Sequence, residues 1–148
     1  MRRGLTPADL SDLFELPLAV VLSMTLPAGA ILSRPIWHRF IDGKFRFQFP
    51  DGDRKIALFE RDPSATALLA ENAFPYRGIE VRGRVRMTRD GYHELAAEIC
   101  RRYVEAYDPT TAVEDYLSPE PGVVAVLEPI VVTCWDYADD AMMPPTVS

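Results

Sequence analysis

The clearest pattern in the chain is the alternation from Lys44 to Phe49, which sets Phe45, Phe47 and Phe49 on one side and Lys44, Arg46 and Gln48 on the other. That is the two-residue period of a half-buried strand. Asp42-Gly43 just before it predicts a two-residue type I′ hairpin, so 30–41 and 44–49 should pair antiparallel. Pro35 inside 30–41 removes one ladder donor, which predicts an edge or a bulge there. The apolar run Leu18 to Met24, closed by Leu26-Pro27-Ala28-Gly29, reads as a buried strand and turn.

Ala65 to Ala70 predicts a small-residue strand. Gly78 to Thr88 predicts a longer one, with Ile79, Val81, Gly83, Val85 and Met87 on one face and Glu80, Arg82, Arg84 and Arg86 on the other. Gly83 marks a bulge or a close backbone approach. Val123 to Tyr137 is the last strand, with Pro129 predicting a second irregularity.

Helical spacing appears in three places. Thr6-Pro7-Ala8-Asp9 predicts a helix start that buries Leu10, Leu13 and Phe14. Asp53 opens a segment with Ile56 and Phe59 inward that ends at Asp62-Pro63. Asp90 is the expected cap of a helix to Tyr107, its stripe being Tyr92, Leu95, Ala96, Ile99, Tyr103 and Ala106. Thr111 to Leu117 is weakly helical. Antiparallel strands of this length, bulged at Gly and Pro, favour a small closed or partly open barrel with flanking helices.

Composition adds limits. At 148 residues the chain suits a single domain, 1–138, beginning with a helical segment in 1–16 and followed by a loose tail, 139–148. Cys100 and Cys134 show neither disulfide nor metal-site spacing, so no metal site is expected. No run is apolar enough for a signal or a membrane helix, and a cytoplasmic protein is expected. The net charge of −6 hides an asymmetry: 14 of the 16 basic residues lie between Arg34 and Arg102, while nothing after Arg102 is Lys or Arg. That distribution suits a small anionic ligand better than nucleic acid, which favours a basic stripe on a basic domain.

Arg54 and Lys55 fall where the second helix begins, and its unpaired N–H groups with two adjacent cations form a candidate phosphate or carboxylate cradle. A solvated pair of surface charges, with Asp53 as the N-cap, is the alternative reading. Arg82, Arg84 and Arg86 on one strand face need acids or an anion opposite them. Neither His38 nor His93 belongs to a nucleophile constellation, and both are expected to be structural or exposed.

The pieces LPLAVVLSM, ILSRPIW, DGKFRFQF, DRKIALFERDPSATAL, PYRGIEVRGRVRM and VAVLEPIVVTCWDY, in this order and spacing, resemble the pyridoxamine-phosphate-oxidase-like, FMN-binding split-barrel superfamily, and within it the flavin/deazaflavin oxidoreductase branch. The resemblance spans roughly residues 13 to 138 and implies a six-stranded antiparallel split barrel that forms a homodimer with cofactor grooves between subunits. It implies FMN, or the deazaflavin coenzyme F-420 instead, with hydride transfer to or from a small organic substrate. Arg54 and Lys55 would grip the cofactor phosphate. Ser33, Arg34, Pro35, Ile36 and Trp37 would lie along the ring, and Tyr76 and Arg77 would come near the same groove. Arg82, Arg84 and Arg86 would reach a longer anionic tail. Phe49 and Asp53 stand where such proteins commonly have phosphate-binding hydroxyls, which favours the alternative of a non-catalytic binding protein with a lost or altered site. The absence of a basic C-terminal motif argues against a true pyridoxamine phosphate oxidase.

Overall fold

A computed structural model describes residues 4–138; the tail expected at 139–148 lies outside them. Its seven strands form one antiparallel sheet: β1 (Val20–Thr25), β2 (Ile31–Ile36), β3 (Arg39–Ile41), β4 (Lys44–Pro50), β5 (Ser64–Ala70), β6 (Gly78–Thr88) and β7 (Gly122–Trp135). Their spatial order is β2-β1-β5-β6-β7-β4-β3. The two edge strands, β2 and β3, are neighbours in the chain, separated only by Trp37 and His38. Three residue steps reach about 11 Å at most, so the sheet must curl until its edges nearly meet. The fold is a split barrel.

This corrects two expectations. The single strand 30–41 is two strands, which raises the count from six to seven. Only 39–41 pairs with β4, whereas 31–36 pairs with β1, Ser33 opposite Ser23. The chain changes partner at Trp37-His38 because one strand cannot follow both edges of a curled sheet. Pro35 sits on the outer edge strand, where a missing donor is harmless.

The interior follows the alternation. Phe45, Phe47 and Phe49 are buried in a row with Val20, Leu22, Ala67, Leu69, Ile79, Val81, Ala125 and Leu127. The ends of the row are plugged by helices. A 3-10 turn, Pro7–Leu10, and α1 (Ser11–Glu15) bring Leu10 and Leu13 into the core and stack Phe14 on Phe40 at 4.0 Å beside Phe45. At the other end α2 (Arg54–Arg61) inserts Leu58 and Phe59, the latter against Phe49.

Outside the barrel, α3 (Tyr92–Tyr107) lays Tyr92, Leu95, Ile99 and Tyr103 over Val124 and Val126. The first half of β7 is therefore buried on both faces. Asp90 is not the cap of α3: Gly91, with φ 76°, holds that position because the entry turn needs a left-handed residue. Ala106 lies on the exposed side of the last turn. Between β6 and β7 the register slips, Arg82 facing Val131 and Gly83 facing Pro129. A Cβ on Gly83 would overlap the Glu128 carbonyl, the close approach anticipated there.

Candidate functional site

Where β2 ends and the chain crosses to the opposite edge, a cleft of about 320 Å³ opens in the split of the barrel. That is at the lower end of the usual ligand-pocket range of about 300–1,000 Å³. One wall is Pro35, Ile36 and Trp37; the other is Gln48, Phe49 and Pro50 of β4 with Asp53 and Lys55 at the start of α2. The hairpin and the helix start thus converge, as their chemistry suggested.

The predicted residues divide. Pro35, Ile36, Trp37 and Lys55 line the cleft, whereas Arg54 is exposed beside it, since adjacent helical residues point about 100° apart. Ser33 shares a 2.8 Å hydroxyl hydrogen bond with Ser23, and Arg34 folds back to donate to the Ser33 carbonyl at 2.9 Å. Neither lines the cleft. Arg77 is occupied: its Nε and Nη2 donate to Glu71 at 2.9 and 3.1 Å, and its Nη1 donates to Asp12 at 2.8 Å. These hydrogen bonds hold the Glu71 and Asp12 carboxyls below the usual carboxylate range and push the guanidinium pKa up. Arg77 therefore staples the 71–77 loop to α1, leaving Tyr76, with φ 55°, exposed in that loop.

The electrostatics at the helix start are crowded. Asp53 caps α2 by accepting from the Lys55 backbone N–H at 2.9 Å, and its other oxygen lies 3.2 Å from Lys55 Nζ. Lys55 Nζ also stands 5.3 Å from the centre of the Phe49 ring. A carboxylate thus shares the cation with any anionic ligand. Gln48, which shares the polar face of the alternation with Lys44 and Arg46, accepts from Tyr92 Oη at 3.1 Å. Its amide N–H donors have no partner among the described residues and border the cleft.

Trp37 is held from behind. Its ring stacks on Tyr103 at 4.9 Å and 2°. The Tyr103 hydroxyl donates to the Leu18 carbonyl at 2.7 Å, accepts from the His38 backbone N–H at 3.3 Å and lies 3.0 Å from His38 Nδ1. Its one proton is committed to Leu18, so His38 must carry its proton on Nδ1 and donate. Burial, with Arg102 and Arg39 nearby, pushes His38 down to about 3, so the ring is neutral. His38 is a structural residue that fixes the crossover.

A second depression, of about 510 Å³, lies on the outer face of the sheet. It is lined by Ser23, Thr25, Ile31, Ser64, Thr66 and Arg82 with Ile130 and Val131 of β7. Arg82 pairs with Glu80 at 3.4 Å and Arg86 with Glu128 at 3.1 Å, while Arg84 has no ion pair among the described residues. The second half of β7 leaves Ile130, Val131 and Val132 exposed.

No family profile and no curated protein matches the chain. Solved structures do. A conserved hypothetical protein from Mycobacterium tuberculosis is similar at 18% identity, over 93% of this chain and 90% of that one, with a TM-score of 0.72. A protein described as an F420 reductase is 22% identical over 83% of this chain and 94% of its own, with a TM-score of 0.65. A FAD-binding protein from Mesorhizobium loti is 16% identical over 86% and 92%, with a TM-score of 0.60. These likenesses show the class of fold, a split barrel.

Proposed function

We propose that this chain is a split-barrel oxidoreductase whose cleft binds FMN, or the deazaflavin F-420 in its place, and that it transfers a hydride to or from a small organic substrate. The observation that carries the reading is the convergence of Trp37, the Pro35–Ile36 backbone, the Gln48 amide and Lys55 on one cleft. Two proteins of the same fold, described as an F420 reductase and as FAD-binding, support it.

The residues fit such a group. Trp37 presents an aromatic ring at the cleft, its orientation set by Tyr103. The Gln48 amide supplies donors for a ring carbonyl, and Lys55 with neighbouring Arg54 supplies the charge for a phosphate. Bound there, the cofactor supplies the hydride chemistry; the protein supplies orientation, charge and exclusion of water. We further propose a homodimer in the cytoplasm, without nucleic acid or membrane as partner. The exposed Ile31, Ile130, Val131 and Val132 give the dimer an apolar surface, and no helix of the described residues is long and apolar enough to cross a membrane.

A second reading has its own observation. Asp53 already caps α2 and pairs with Lys55, which favours a non-catalytic split-barrel protein with an altered site. Titration of the purified protein with FMN and with F-420 decides between them. Tight binding of either, lost in Arg54→Ala/Lys55→Ala while the oligomeric state is kept, supports the oxidoreductase. Binding of neither by a folded protein supports the second reading.

A further inference from the structure

Arg39 and Arg46 are direct cross-strand partners of β3 and β4, so two cations face each other on one side of the hairpin. Like charges in that arrangement repel. The compensation is incomplete. Glu98 of α3 pairs with Arg39, its carboxylate 2.7 Å from Nε, whereas the buried Arg46 Nε has no hydrogen-bond acceptor among the described residues. Arg46 has no carboxylate within ion-pair distance among the described residues. Of the two guanidinium groups only that of Arg39 has an acid partner among the described residues, and both arginines are half-buried rather than free in solvent.

Their position links them to the cleft. Gln48 lies two residues beyond Arg46 on the same face of β4, and Trp37 two residues before Arg39; both line the cleft. Lys55 stands at the opposite end, past Pro50. Four strand steps from Arg46 to Pro50 cover about 13 Å.

We propose that Arg39 and Arg46 form a second anion site, and that the ligand of the cleft carries a second phosphate or carboxylate beyond the anionic group held near Lys55. The inference rests on the cleft reading given above and narrows its ligand: a cofactor with a single phosphate leaves the arginine pair unused. Guanidinium forks suit either anion, each offering paired N–H donors in a plane.

The test has two arms, both with the full chain and with Arg46→Ala. In the first, inorganic pyrophosphate is titrated while thermal unfolding is followed. The expected result is a rise in melting temperature of the unmodified protein that is at least halved in Arg46→Ala; an equal rise in both proteins overturns the anion site whatever the cleft binds. In the second arm, FMN, FAD and F-420 are titrated by calorimetry. FMN carries one phosphate, FAD a pyrophosphate, and F-420 a phosphate with a carboxylate tail, so the preferred ligand tells phosphate from carboxylate. The expected result is a tenfold loss in Arg46→Ala for FAD or F-420, with FMN changed less than twofold. A uniform loss, or none, overturns the second-anion ligand. If no flavin binds while the pyrophosphate difference persists, the cleft reading and the ligand inference fail and the arginine anion site stands. Arg46→Lys, which keeps the charge without the fork, should recover part of both effects; no recovery, with Arg46→Ala folded normally, overturns an electrostatic role.

Discussion

Removing one hydroxyl at the crossover tests the physical core of the site. In Tyr103→Phe the aromatic stack on Trp37 is kept, but the Leu18 carbonyl, the His38 backbone N–H and His38 Nδ1–H all lose their common partner. A buried polar group left unpaired costs about 1–3 kcal/mol. The Leu18 carbonyl is near enough to the surface to find water. The expected destabilisation is therefore about 2–4 kcal/mol, or a fall in Tm of roughly 5–15 °C for a domain of this size. Urea unfolding followed by tryptophan fluorescence measures it directly. The pH dependence adds an independent check. His38 titrates near its ordinary 6.5 in the unfolded chain and at about 3 when folded, so between those values the unfolded state binds more protons. Stability contributed by the neutral ring is complete above about 6.5 and is lost as pH falls toward 3. The slope is at most about 1.4 kcal/mol per pH unit, which gives a loss of roughly 2 kcal/mol from pH 7 to pH 5. The Arg77 hydrogen bonds hold the Asp12 and Glu71 carboxyls below the usual carboxylate range, so the stability they add is present above that range and is lost only as pH falls into and below it. His38→Gln, which keeps an N–H donor and does not titrate, should flatten the slope. A cost below about 0.5 kcal/mol for Tyr103→Phe, or an unchanged slope in His38→Gln, would refute the hydrogen-bond arrangement.

Three further outcomes follow from packing and ion pairing. Gly83→Ala forces a methyl into the Glu128 carbonyl and should cost about 3 kcal/mol or more in urea unfolding; a variant as stable as the parent contradicts the close approach. Phe47→Ala empties the middle of the aromatic row and should cost about 3–5 kcal/mol, checked the same way. Arg77→Met should release the 71–77 loop, so hydrogen exchange of the Glu71 amide, which donates to the Arg77 carbonyl at 3.0 Å, should accelerate while amides of β6 beyond Gly83 keep their protection. Unchanged exchange at Glu71 would show that the staple is not needed.

Much of the barrel was legible because its signals are local. The Lys44–Phe49 alternation, the Asp42-Gly43 turn with both residues at positive φ, and the irregularity at Gly83 and Pro129 each depend on residues within one or two strands. The break at Trp37-His38 was not legible, since 36–41 is continuous in pattern and only the competition between β1 and β4 divides it. Asp90 and Gly91 stand side by side, and local preference favours the carboxylate as a cap; the left-handed entry turn selected the glycine. The cleft was half visible. Pro35, Ile36, Trp37 and Lys55 meet in it, but the rotation of α2 turns Arg54 away, and Arg77 is claimed by Asp12, 65 residues distant, which no local pattern reveals. Gln48 was in view as an outward polar residue; its place in the cleft depends on the opposite edge of the curled sheet.

The most direct test of the central claim is tryptophan fluorescence during titration with FMN and with F-420, in the unmodified chain and in Trp37→Phe. Only Trp37 and Trp135 emit, and Trp37 alone lines the cleft. Saturable quenching that is clearly larger in the unmodified chain than in Trp37→Phe is the expected result. Equal fractional quenching in both proteins, or none at saturating cofactor, would contradict a flavin-type cofactor lying against Trp37 in this cleft.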